Sequence, residues 1–144
     1  MKRVDKASSF IAQVWNYSKS GYGAIVVKDA KGRMTTTYFE VPTTPRKLTQ
    51  HLREIPESRD IYFCPVPGNK KSRKKDSFDR IRLLWADLDE ADPRQISPRP
   101  QIAWKTSPGR YQSLWLLEKT HSASKIEKLN RALTYSIGAD KGGT

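Results

Sequence analysis

The stretch Arg80–Asp89, RIRLLWADLD, leaves the fewest choices to the chain that contains it. Its middle is apolar enough for a buried β-strand, yet it carries two carboxylates two residues apart, Asp87 and Asp89. Alternate side chains of a strand share a face, so the two acids project together while Leu84, Ala86 and Leu88 face the opposite way. Two residues of rise put the acidic Cβ atoms roughly 6.6 Å apart. Ionised carboxylates at that distance repel by about 2.5 kcal/mol at an effective dielectric of about 20. Either solvent screens them at a frayed strand tip, or a cation joins them. Magnesium suits the second case, because it takes hard oxygen ligands from carboxylates and phosphates together.

The flanking sequence builds an α+β chain around this strand. Lys6–Ser18 carries Phe10, Ile11, Val14, Trp15 and Tyr17 at helical spacing and predicts a helix ending before Gly21. GAIVV (Gly23–Val27) and MTTTYFEV (Met34–Val41) read as strands joined by a turn containing Gly32. Thr44 is placed to cap a helix with Pro45 at its first position, running to about Glu54. DIYFCPV is a short strand stopped by Pro65 and Pro67, with Tyr62 and Phe63 expected in the core. Gly68–Phe78 is polar, basic and aperiodic, hence a mobile loop. QIAWKTS and RYQSLWLL form a hairpin about Ser107-Pro108-Gly109. Ser122 or Ser124 caps a last helix with Ile126, Leu129, Leu133 and Ile137 on one face, stopping at Gly138. One domain spans residues 1–144, with a helix and strands in 1–67, the basic loop in 68–78 and the acidic core in 79–144.

Composition narrows the function. The 144 residues are 36% hydrophobic and 10% aromatic, which fits a soluble globular protein. No apolar run approaches a membrane span, and the first residues lack the apolar centre of a signal peptide. The single Cys64 excludes an internal disulfide framework and fits a reducing cytoplasm. With one cysteine and the two distant histidines His51 and His121, a closed Cys/His zinc site is not expected, and neither histidine is assigned a role. Lys and Arg number 27 against 15 Asp and Glu, a net +12. Lys70, Lys71, Arg73, Lys74 and Lys75 fall together, so the expected partner is a polyanion, nucleic acid before any anionic surface.

The hairpin adds the matching chemistry. By alternation Lys105 and Ser107 share a face, as do Arg110 and Gln112. Two cations, a hydroxyl and an amide therefore gather about a tight turn, and such groups hold phosphate oxygens through charge-assisted hydrogen bonds. A solvated hairpin end is the plain alternative. An acidic pair beside a phosphate-holding hairpin is what two-metal nucleotidyl transfer requires, and such a site recruits a third carboxylate. Asp140, just past Gly138, is one candidate; an ordinary turn is the other reading of it. Trp15, Trp85, Trp104 and Trp115 read as core rather than as base-stacking platforms.

The ordered set YFCPVP, a basic segment, LLWADLDEADP, TSPGRYQSLWLL and GADKGGT resembles the RepB-type primase domain of the archaeo-eukaryotic primase superfamily. The likeness extends over nearly the whole chain. It implies an RNA-recognition-like core, a mainly antiparallel bent sheet flanked by helices, and template-directed synthesis of primers from (d)NTPs on single-stranded DNA. It implies Asp87, Asp89 and Asp140 as catalytic ligands of Mg2+ or Mn2+, and places Lys105, Ser107, Arg110 and Gln112 near the nucleotide phosphates. Many superfamily members have histidine where Gln112 stands. Lys70, Lys71, Arg73, Lys74 and Lys75 would contact DNA. The resemblance further implies a bacterial cytoplasmic protein encoded by a plasmid, phage or mobile element, with no membrane partner and with a helicase region or partner in the full-length protein. Relatives continue past GADKGG, so a chain truncated at the C-terminus is expected. Two readings of other classes stay open on the residues alone: a non-catalytic DNA-binding module of a replication initiator, and a metal-dependent nuclease.

Overall fold

The computed structural model describes residues 3–88 and 91–137. Asp89, Asp140, the helix stop at Gly138 and the side chain of Ser107 lie outside the described residues. The chain divides into two compact units, Met1–Asp79 and Arg80–Thr144. It is α+β and antiparallel throughout, as the strand patterns predict, with the strands of each unit forming their own three-stranded sheet.

In the first unit α1 (Arg3–Tyr17) presents Ser8, Ile11, Ala12 and Trp15 as a buried stripe at helical spacing. The strands β1 (Gly21–Lys28) and β2 (Met34–Val41) pair in register from Gly21↔Val41 to Lys28↔Met34. The turn between them uses Gly32 at φ 82, a left-handed position that glycine adopts without Cβ strain. Asp29 fixes this turn by accepting from the backbone N–H groups of Lys31 and Arg33, each at 2.9 Å. β3 (Asp60–Phe63) pairs on the other side of β1, giving the order β2-β1-β3. Beneath this sheet Ile11, Trp15, Ile25, Val41, Leu48 and Leu52 form the core.

Two polar devices hold the helices to that sheet. The Asn16 amide donates to Thr43 O and accepts from Thr43 N–H, both at 2.9 Å, so one side chain pairs with the backbone like a strand. Thr49 Oγ1 donates to Ser8 Oγ at 2.8 Å, joining α1 to α2 (Pro45–Arg53). Thr44 is the N-cap residue, but its hydroxyl makes no capping bond. Pro45 at the first position has no N–H to satisfy, which lessens the need for one. Tyr62 departs further from expectation. It is 52% exposed rather than in the core, because β3 is an edge strand and its Phe63, not Tyr62, packs against the helices.

The basic segment has anchored ends. Gly68 exchanges backbone hydrogen bonds with Tyr22, at 2.8 and 3.0 Å, and Asn69 N–H donates to Ser77 O at 2.7 Å. A 3-10 turn at Lys75–Ser77 buries Ser77, while Lys70 pairs with Asp76 at 3.1 Å. Lys70, Lys71, Arg73, Lys74 and Lys75 remain exposed around this closed loop.

The second unit consists of β4 (Arg80–Leu88), β5 (Ile102–Ser107) and β6 (Arg110–Ser122) in the order β4-β6-β5, with α3 (Ala123–Ile137) on one face. Ser122 caps α3 by accepting from Lys125 N–H at 3.3 Å. Leu84, Ala86, Leu88, Tyr111 and Trp115 pack with Leu133 and Ile137 of α3. Asn130, buried in α3, accepts from Trp85 N–H at 3.0 Å, so a helix side chain satisfies the outer edge of β4. β6 continues five residues beyond the expected Leu117, across a register shift opposite Ile81–Leu83. Arg82 donates to Leu117 O and Glu118 O, and Arg80 to Thr120 O, at 3.0–3.1 Å, supplying the partners that the shift removes. Among the described residues no helix is long and apolar enough to cross a membrane.

Candidate active site

Asp87 lies one residue from the end of β4, where the strand leaves its apolar crossing. Its face follows from the core. Leu84, Ala86 and Leu88 point to α3, so Asp87 stands on the opposite face with Trp85, as strand alternation predicts. Directly across from it on β6 is Gln112. Trp85 N–H bonds outward to Asn130, and Leu116 N–H bonds to the Gln101 side chain at 3.0 Å on the β5 side. Both place Asp87–Gln112 among the non-hydrogen-bonded pairs, whose side chains come closest. Gln112 Nε2 accordingly donates to Asp87 Oδ1 at 2.7 Å.

This contact changes the role read for Gln112. Its amide is spent on orienting a carboxylate, a task in which a neutral donor leaves the carboxylate's charge available. Both side chains are half-buried, and among the described residues no lysine or arginine is paired with Asp87. An oriented carboxylate of this kind suits a hard divalent cation. Among the described residues no three His, Cys, Asp or Glu side chains gather as a metal-holding group. The expected partners Asp89 and Asp140 lie outside the described residues.

The hairpin brings only part of the phosphate set to this face. Arg110 shares the face of Gln112 by unbroken alternation along β6. Trp104, the β5 residue opposite Gln112, is half-buried there. Lys105 pairs instead with Tyr111, a residue packed on the α3 side, so Lys105 stands on the face away from Asp87. The cause is a register shift between Lys105 and Ser107, which breaks the period-two count behind the expected shared face. The five loop cations belong to the first unit and Asp87 to the second. Trp85 and Trp104, expected in the core, are half-buried, whereas Trp15 and Trp115 are buried as expected. Cys64 is half-buried, and loss of water around its thiol raises the pKa despite the positive charge of Arg73.

No protein-family model matches the chain, and no curated protein does. Among solved structures it is similar to the catalytic domain of primase RepB' in complex with initiator DNA, with a TM-score of 0.68 and 18% identity over 98% of this chain and 71% of that one. It is similar also to primase RepB', with a TM-score of 0.69 and 17% identity over 97% of this chain and 46% of that one. The chain thus spans less than half the length of the second. What these likenesses establish is the fold: nearly all of the chain superimposes on a primase catalytic domain.

Proposed function

We propose that this chain is the catalytic core of a DNA-replication primase, joining nucleotides from (d)NTPs on a single-stranded DNA template in a metal-dependent reaction. The observation that carries the reading is the match of 98% of the chain to the fold of a primase catalytic domain at a TM-score of 0.68. That domain is in complex with initiator DNA, and the excess of cations here suits the same class of partner.

Asp87, with Asp89 and Asp140, would hold Mg2+ or Mn2+, which when bound neutralises the triphosphate and acidifies the attacking hydroxyl. Gln112 keeps the Asp87 carboxylate in one orientation through its 2.7 Å hydrogen bond. Arg110, on the face of Gln112, binds phosphate oxygens of the incoming nucleotide, with Ser107 of the same hairpin assisting, whereas Lys105, on the other face, takes no part in that contact. Lys70, Lys71, Arg73, Lys74 and Lys75 attract the strand backbone without reading its sequence. Such an enzyme would work in a bacterial cytoplasm on plasmid, phage or mobile-element DNA, with a helicase region or partner opening the duplex.

The test is primer synthesis on single-stranded DNA with labelled nucleotides and magnesium or manganese, comparing wild type with Asp87→Asn/Asp89→Asn. The double variant should lose synthesis while keeping or slightly tightening its DNA affinity, because two negative charges are gone. Full synthesis by that variant would sink the metal-site assignment. DNA binding by a wild type that makes no product would favour a binding module of an initiator.

A further inference from the structure

The last helix has a face that its sheet does not use. Ile126, Asn130, Leu133 and Thr134 are buried and share the side of α3 that meets the strands. The exposed charged residues of the helix are Lys125, Lys128 and Arg131, all positive. A step of three residues turns a helix by about 300° and raises it by about 4.5 Å. The three cations therefore spread over about 120° of the outward surface and about 9 Å of its length. Tyr135, 59% exposed, stands about two turns beyond Lys128 on nearly the same line.

Positive charge continues past the start of the helix. Burial, then the charges of Lys125, Lys119 and Arg80, keep the His121 imidazole below its ordinary pKa, so these cations act on one region. Among the described residues none of Lys119, Lys125, Lys128 and Arg131 is ion-paired. The acids nearest in sequence are Asp79, Glu118 and Glu127. Asp79 adjoins Arg80, and Glu118 projects from the face of β6 opposite Lys119. Glu127 is half-buried and has only Arg131 of the three helix cations one turn away on its own side.

Exposed, unpaired cations in a row suit the phosphates of a nucleic acid, and the shape of the surface selects the duplex. An α-helix with its side chains is about 10–12 Å across, and the major groove of a duplex is about 12 Å wide. Cations on both flanks of the helix reach phosphates on both walls of such a groove, and a tyrosine hydroxyl can donate to another. A single strand engages one flank only, and α3 offers it no row of flat rings on which to stack bases. The face also lies apart from Asp87. Helix α3 packs on Leu84, Ala86 and Leu88, and Asp87 projects from the other side of the same strand.

We infer that the outer face of α3 is a docking surface for double-stranded nucleic acid, held through phosphate contacts from Lys125, Lys128 and Arg131 without reading of sequence. It goes beyond the proposed reaction and stands whether or not the chain joins nucleotides.

The experiment is fluorescence anisotropy of the whole chain, over a salt series, with a labelled duplex of mixed sequence and with a single strand of equal length. Lys125→Ala/Lys128→Ala/Arg131→Ala should flatten the log–log salt slope for the duplex by about 2.7, at about 0.9 for each lost phosphate contact. Its deficit in duplex affinity should accordingly be about 40-fold larger at about 50 mM salt than at about 200 mM. The single strand should lose far less. Lys125→Arg/Lys128→Arg/Arg131→Lys, which conserves the charge, should retain duplex affinity. Lys6→Ala/Arg46→Ala/Lys47→Ala removes the same charge from exposed positions of α1 and α2 and should bind the duplex nearly as wild type does. Equal losses on duplex and single strand, an equal loss from the α1 and α2 variant, an unchanged slope, or a wild type that does not bind the duplex would each overturn the inference.

Discussion

Replacing Gly23 with alanine should damage the first unit more than any local rule for glycine in a strand foresees. A Cβ at this position would meet Cδ2, Cε2 and Cε3 of Trp15 at 2.3, 2.4 and 2.5 Å. Ordinary carbon contacts run at about 3.5–4.0 Å, so the indole would have to withdraw by about 1 Å. Three contacts oppose that movement. Trp15 is 0% exposed, its indole N–H donates to Cys64 O at 2.7 Å, and Phe39 stacks near it with ring centres 5.9 Å apart. Overpacking a filled core costs about 1–3 kcal/mol, and loosening the indole bond leaves a buried donor at a further ~1–3 kcal/mol. We expect Gly23→Ala to lose about 2–6 kcal/mol in urea unfolding followed by tryptophan fluorescence. Trp15→Phe in the same chain should relieve part of the clash, so the double variant should be more stable than the two single losses added together. A loss below about 0.5 kcal/mol, or simple additivity, would refute the argument that the indole's approach is what demands glycine.

Two further outcomes follow from unit two. Gln112→Leu removes the donor to Asp87 Oδ1; primer synthesis should then need more magnesium, with apparent metal affinity about 10- to 100-fold weaker, and an unchanged magnesium titration would count against the positioning role. Burial first, then the positive charges of Lys125, Lys119 and Arg80, hold the His121 imidazole below its ordinary pKa. Folding thus favours the neutral ring, so its contribution is intact above about pH 6.5 and stability declines as pH falls from there toward the folded-state pKa. Thermal melts at about pH 7.5 and 5.5 should show a smaller drop for His121→Gln than for wild type; equal drops would disprove the effect.

Local pattern was enough for elements whose signals sit within a few residues. Gly32 between two strand runs, Pro45 after Thr44, and Pro108-Gly109 inside the hairpin all stand where the chain turns or a helix begins. What pattern missed depends on distant partners. β6 extends past Leu117 because Arg80 and Arg82, some forty residues earlier, satisfy carbonyls in a stretch whose own residues, EKTH, read as loop. Lys105 changes face because a bulge inserts a step that alternation cannot count. Tyr62 is exposed because β3 became an edge strand, a fact of topology that four residues of DIYF do not contain. At the site, Asp87's face was legible from the apolar phase of its own strand. Its hydrogen bond to Gln112 was not, since it requires the cross-strand register.

The bond from Asn69 N–H to Ser77 O closes the basic segment at its neck. With the neck fixed, residues between it are free to drift in number. Each doubling of a flexible loop adds only about 0.6 kcal/mol of closure entropy, so length and lysine content can change there with little effect on the sheet behind it. For the engineer the segment is thus a site where a peptide or tag can be inserted without rebuilding the fold.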